Sequence, residues 1–346
     1  MVGPCSQNQT VKNVYLLSLS LVLIVTGRAA PRIEFAWPTP STAWAEGRPP
    51  RDFLQHAGSG EPESGGFGGV RSGGIQFHEG IDIKAVGHDR HGEPTDAVFA
   101  AMTGVVRHVS ANPGNSSYGR YIVLEHPDLA PGIYTLYAHL ARIAPGVSVG
   151  STVAIHQVIG TMGHSSGGYV IPKDRAHLHF EMGVMMTRSF QRWYDAKKFG
   201  SRNEHGLWNG INLVGFDPLD FLSQWQSGKL ATFDDYFAKM AATVRVKIAT
   251  HNVPDFVTRY PSLVTKPIPV ALGGWEIKFN WTGYPFQWTP LSPVEAMGLP
   301  GKEPTLVDVD TAAVHSQHSK SVAILRHGKW VAGPDLQISL QQLFGS

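Results

Sequence analysis

The chain has 346 residues, of which 42% are hydrophobic and 16% charged, and its formal net charge is +2. That length suffices for one large or two ordinary domains with real cores. The near-neutral balance, without a basic block or interleaved aromatic and basic residues, excludes nucleic-acid binding through bulk electrostatics.

The first thirty residues stand apart from the rest. A polar start carrying Lys12 leads into VYLLSLSLVLIVTG (Val14 to Gly27), and GRAAP follows. Basic start, apolar run and small residues form the layout of an export signal. The run is shorter than the ~20 residues of a membrane-spanning helix. A cleaved signal peptide over residues 1–30 is therefore expected, with an uncleaved N-terminal anchor as the alternative. Membrane association is expected only in the second case. Cys5, the only cysteine, precedes the apolar run and so is not placed like a lipoprotein cysteine. An exported chain without disulfides suits the periplasm or cell envelope of a bacterium, or secretion from one. Thiolate is thereby removed from the possible metal ligands.

Residues 30–71 are rich in Pro, Gly and Ser, and GSGEPESGGFGG reads as loop. From Gln76 to about Glu181 short strands follow one another. VFAAMTGVVRHV, YGRYIVLEH and GIYTLYAHL alternate or run apolar, and NPGNSS and PDLAPG break them. VSVGSTVAIHQVIGTMG continues the pattern. A mainly β, antiparallel domain is predicted. RSFQRWYDAKKFGS suggests one helix. GFDPLDFLSQW suggests a closing helix, with Asp217 and Pro218 as its start signal.

A smaller α+β region begins near Gln226 and runs to 346. Phe233, Phe237, Met240 and Val244 have helical spacing. WEIKFNW alternates, with Trp275, Ile277, Phe279 and Trp281 on one face. SVAILRHGKWVAG reads as a hairpin turning at His327 and Gly328. No motif in this region attaches to chemistry, and its tryptophans read as core.

The stretch RAHLHFE (Arg175 to Glu181) poses the chemical question. In a strand, His177 and His179 share one face about 6.5–7 Å apart, while Leu178 and Phe180 point to the other. That spacing is long for a two-ligand chelate, so one imidazole is expected to bind a metal and the other to stand beside it. HEGIDI offers His78 and Asp82, whose Cα atoms would lie about 13 Å apart on a straight strand. A bend at Gly80 would bring them together. His139 in LYAHL is a third imidazole, expected on a strand face with Thr135 and Tyr137. Imidazole with carboxylate and no thiolate suits zinc. Glu181 reads as solvent-facing or structural, with an outer partner of the histidines as the alternative. His88 and His91 read as loop residues, and His126 as structural.

These motifs, in this order, resemble the lysostaphin/LytM-type zinc metallopeptidases that cut peptidoglycan peptides. The His-x-x-x-Asp of HEGIDI and the His-x-His of HLHFE match, as do AMTGVVRHV, YGRYIVLEH, YTLYAHL and VSVGSTVAIHQVIGTMGHSSG between them. The resemblance covers about Phe35 to Leu222. It implies an antiparallel β-sheet groove with Zn2+ on its floor, held by His78, Asp82 and His179. His177 and His139 would be the catalytic imidazoles assisting a zinc-activated water. The implied partners are peptidoglycan peptides, and the implied domain spans 31–225. Relatives of this type that lack ligands act as regulators or wall-binding modules, the alternative reading. Three departures are visible. GHSSGGYVIPKDRA, before the His-x-His, is longer than the usual link. Stretches near 39–63 and 182–214 read as insertions, and all three are expected to shape the groove rim.

Overall fold

The computed structural model describes residues 1–3, 33–301 and 303–345. The expected signal segment thus lies almost wholly outside the described residues. Among them, no helix is long and apolar enough to cross a membrane.

The chain is mainly β, with antiparallel sheets. The largest sheet runs in the order Leu213–Gly215, His177–Met185, Tyr134–Ala138, Tyr121–Glu125, Gly104–Ser110, Thr152–Val153. Ile81–Lys84 pairs with the first half of His177–Met185. That central strand is buried along its whole length, so both of its faces must be occupied. Leu178, Phe180, Met182 and Val184 enter the main core with Ile122, Leu124 and Tyr137. The opposite face carries His177, His179 and Glu181 beside a small cluster of Tyr121, Val123, Tyr134, Leu136 and Ala138. Period-two alternation thus sorts one apolar face from one face of polar chemistry.

The C-terminal region has its own antiparallel sheet, ordered Pro285–Leu291, Gly274–Phe279, Val244–Ala249, Thr305–Val309. Trp275, Ile277 and Phe279 are buried as the alternation predicts. Trp281 departs from it. The strand ends at Phe279, and the Trp281 ring packs instead on Phe67 and Phe77. The hairpin Ala323–Arg326 with Lys329–Ala332 turns at His327 and Gly328, both with positive φ, as a tight two-residue turn requires. Helix Pro218–Gln226 starts where expected, with the Asp217 carboxylate accepting from the Leu219 and Asp220 amides. Helix Phe233–Ala238 is shorter than its spacing suggests, because Val244 already begins a strand.

One hydrophobic core runs from Ile33 to Leu343. Around Phe216 it includes Phe233, Phe237 and Tyr284, with ring centroids 5.4 to 6.2 Å from that residue. Aromatic packing therefore crosses position 226.

Candidate metal centre

His78 ends the strand Gln76–His78, the chain bends at Glu79 and Gly80, and Ile81–Lys84 follows. The bend is where the sequence suggests, but its reason differs. The backbone of Gly80 does not take the left-handed conformation; a Cβ there would lie 2.3 Å from the Phe180 carbonyl oxygen. Glycine is needed for close approach to the central strand rather than for an unusual φ. On that strand His179 stands directly opposite Asp82.

Three acceptor atoms meet at this point. His78 Nε2 lies 3.0 Å from His179 Nδ1, His179 Nδ1 3.0 Å from Asp82 Oδ1, and His78 Nε2 3.1 Å from Asp82 Oδ1. The tautomers follow from the outer partners. His78 Nδ1–H donates to the Gly66 carbonyl at 2.6 Å, and His179 Nε2–H donates to Glu181 Oε1 at 2.9 Å. Both inner nitrogens therefore turn lone pairs toward each other and toward a carboxylate. Such a triangle repels itself unless a cation or proton sits in it. Ligands of a tetrahedral zinc at ~2.0–2.2 Å stand about 3.3–3.6 Å apart, a few tenths of an ångström beyond these separations, so the residues fit the metal. All three are buried.

Glu181 is 1% exposed, which overturns its solvent-facing reading. Besides His179 it accepts from the Tyr118 hydroxyl at 2.5 Å and the Tyr134 hydroxyl at 2.9 Å. A carboxylate so placed orients the imidazole and raises its basicity. The alternative reading, an outer partner of the histidines, is the one parity supports, since Glu181 is two residues beyond His179. Arg71, at the end of the short strand Gly68–Arg71, and Tyr118, in a turn, carry no such signal. Arg71 Nη2 donates to Asp82 Oδ2, and Arg71 Nε to the Ser64 carbonyl at 3.0 Å.

The other two imidazoles stand beside the triangle. His177 Nδ1–H donates to the Arg175 carbonyl at 2.7 Å, and its Nε2 lies 3.5 Å from Asp82 Oδ2. His139 Nδ1–H donates to the Ser165 carbonyl at 2.9 Å, and its ring lies 4.8 Å from that of His177. His139 does not share the face of Thr135 and Tyr137 as expected. The strand ends at Ala138, and a φ of 61° at His139 turns the side chain back to the metal side. Burial pushes the His139 imidazole well below its ordinary range, with His177 and His179 adding to the effect. Burial lowers His177 as well, against the opposing pull of Asp82. Burial opposes the charge on Asp82, yet the surrounding imidazoles hold its carboxyl well below the usual range.

All five residues line one pocket of about 440 Å³. Tyr169, Val170, Ile171, Pro172 and Arg175 line it too, so the long loop before the His-x-His borders the groove as expected. His91 is exposed, and His126 is buried with both ring nitrogens bonded.

Residues 76–190 match the family model described as Peptidase family M23. This segment belongs to peptidase family M23. The M23 segment contains all five of these histidine and aspartate residues, whereas Arg71 and part of the pocket wall precede it. Solved structures similar to the chain include a LytM protein from Ruminococcus gnavus, at 21% identity over 43% of this chain and 47% of that one, TM-score 0.29. The catalytic domain of the antimicrobial peptidase lysostaphin from Staphylococcus simulans is 22% identical over 46% of this chain and 89% of that one, TM-score 0.28. A zinc containing peptidase from Vibrio cholerae is 20% identical over 44% of this chain and 33% of that one, TM-score 0.25. The chain spans about half the length of the Ruminococcus gnavus protein. No curated protein matches the chain.

Proposed function

We propose that the protein is a zinc-dependent endopeptidase that hydrolyses peptide bonds in the stem peptides or cross-links of bacterial peptidoglycan. One observation carries the reading: three mutually facing acceptor atoms lie beside two further imidazoles in a single pocket. Membership of the M23 segment in a peptidase family supports it. Export to the periplasm or cell envelope goes with this reading, because wall peptides lie outside the cytoplasmic membrane.

His78, Asp82 and His179 would hold the metal. Zinc there would supply a Lewis acid for the amide carbonyl and make water a stronger acid. His177 acts as general base. With Nδ1–H tied to Arg175, its Nε2 is free to take a proton from the attacking water and hand it to the leaving amine. His139, anchored the same way by Ser165, accepts a hydrogen bond from that water and orients it. The two imidazoles are anchored alike, and exchanging their roles leaves the chemistry unchanged.

The test is digestion of purified peptidoglycan, with and without chelator, followed by mass analysis of the released fragments. Peptide-bond cleavage that chelator stops and zinc restores is expected. His179→Ala should lose zinc and activity together. His177→Ala should keep zinc and lose roughly 10²–10⁴ of the rate. A protein that purifies without zinc and gains no activity from it would instead be a non-catalytic regulator.

A further inference from the structure

We propose that the C-terminal region, together with the stretch from Tyr194 to Gly215, builds a second substrate cleft beside the metal pocket, which takes the peptide where it continues past the scissile bond. The proposal rests on the peptidase reading above. A cavity of about 730 Å³ lies next to the metal pocket, and Phe77, Glu79, Ser117 and Tyr118 line both. Phe77 and Glu79 are the neighbours of His78 on either side, so the shared lip is at the metal ligand itself.

The far walls of this cavity come from outside the M23 segment. One is the stretch from Tyr194 to Gly215. The other is helix Pro334–Phe344, which turns Asp335, Ile338, Ser339 and Gln342 to the cavity. Their spacing places them on one helical face. One contact ties that helix to the opposite wall, and two others join the C-terminal region to Phe77. Gln342 Nε2 donates to the Ile211 carbonyl at 2.8 Å. Lys320 Nζ lies 4.6 Å over the Phe77 ring. Trp281 packs edge-on to Phe77 at 5.7 Å. The C-terminal region therefore touches the strand that carries a metal ligand.

The lining selects the occupant. Amide and hydroxyl side chains are frequent, such as Asn209, Gln342, Ser117 and Tyr118, and the charges mix Glu79, Glu204 and Asp335 with Arg202 and Lys320. An apolar chain would strand these polar groups, and a polyanion would meet carboxylates. A polar, near-neutral chain of amides satisfies them. Because Phe77, Glu79, Ser117 and Tyr118 line both cavities, one continuous peptide can cross the lip from the metal pocket into the cleft.

The test uses the zinc-loaded full chain carrying His177→Ala, which stops turnover, titrated calorimetrically with wall peptides from dipeptide to hexapeptide. Ile338→Trp and Ile211→Trp fill the cavity from opposite walls. Both residues are at the surface, 38% and 44% exposed, so the folded state should survive either change. Affinity should rise with peptide length. Each substitution should weaken the long peptides about tenfold and leave the dipeptide unchanged. Equal affinity at all lengths, or long peptides indifferent to both substitutions, overturns the proposal. Length-dependent binding lost in both variants, with no cleavage by the chain bearing His177, would sink the peptidase reading and keep the cleft.

Discussion

Asp82 has two oxygens, and the structure gives them different partners. Oδ1 faces His78 and His179, while Oδ2 accepts from Arg71, itself tied to the Ser64 carbonyl. The guanidinium thus occupies one oxygen and leaves Oδ1 to the two imidazoles. Arg71→Gln should weaken zinc binding roughly 10–100-fold in competition with a chromogenic chelator. Arg71→Lys should recover part of the loss, keeping the charge without the planar fork. Zinc affinity unchanged in Arg71→Gln would show that other contacts hold Oδ1. His126 poses a different question, of stability. Burial pushes its imidazole down to about 4 from the ordinary 6.5. Between those values the unfolded chain binds more protons than the folded one. Stability is therefore full above about pH 6.5 and falls as the pH drops through that window toward about 4, by up to ~3 kcal/mol from this group. Denaturant melts across that range should show the slope, and His126→Gln should flatten it.

At the scale of elements, the site is a product of strand parity and two interruptions of it. Parity puts His177, His179 and Glu181 on one face of His177–Met185 and four apolar side chains on the other. The first interruption is the bend at Gly80, which lets His78 and Asp82 reach the same point although they are four residues apart. The second is the left-handed residue at His139, which turns an imidazole out of the strand's own register. Gly80→Ala tests the first. Its Cβ would collide with the Phe180 carbonyl, pushing Ile81–Lys84 off the central strand. A loss of about 2–3 kcal/mol in denaturant unfolding is expected, together with loss of zinc. A variant that bound zinc normally would mean that the ladder can shift without moving Asp82.

At the scale of the molecule, the aromatic packing around Phe216 joins chain from both sides of position 226. Phe237, 2% exposed, belongs to the C-terminal region yet packs edge-on against Phe216. Phe237→Ala should cost ~3–5 kcal/mol. The lost stability should lower the temperature of zinc release and of C-terminal unfolding alike, as one calorimetric transition. Two separated transitions would show that the regions fold independently. The same continuity gives the C-terminal helix a fixed place from which to wall a cleft.

Strand composition and antiparallel β architecture were legible in the linear chain, as were five residues that fold into one pocket. They depend on periodicity, on ligand chemistry and on short motifs, all of which are local. Helix starts and the His327-Gly328 turn were legible for the same reason, since capping and positive φ are properties of a few neighbouring residues. Folding alone decided what depends on atoms far apart in sequence. It decided that Gly80 is there to admit a carbonyl, that Glu181 is buried behind His179, and that Arg71 holds the spare oxygen of Asp82. It also decided that His139 leaves its strand's face and that residues beyond 190 line a cavity next to the pocket of the five residues. Each of these is set by which distant backbone lies within a few ångströms, and no spacing along the chain records that.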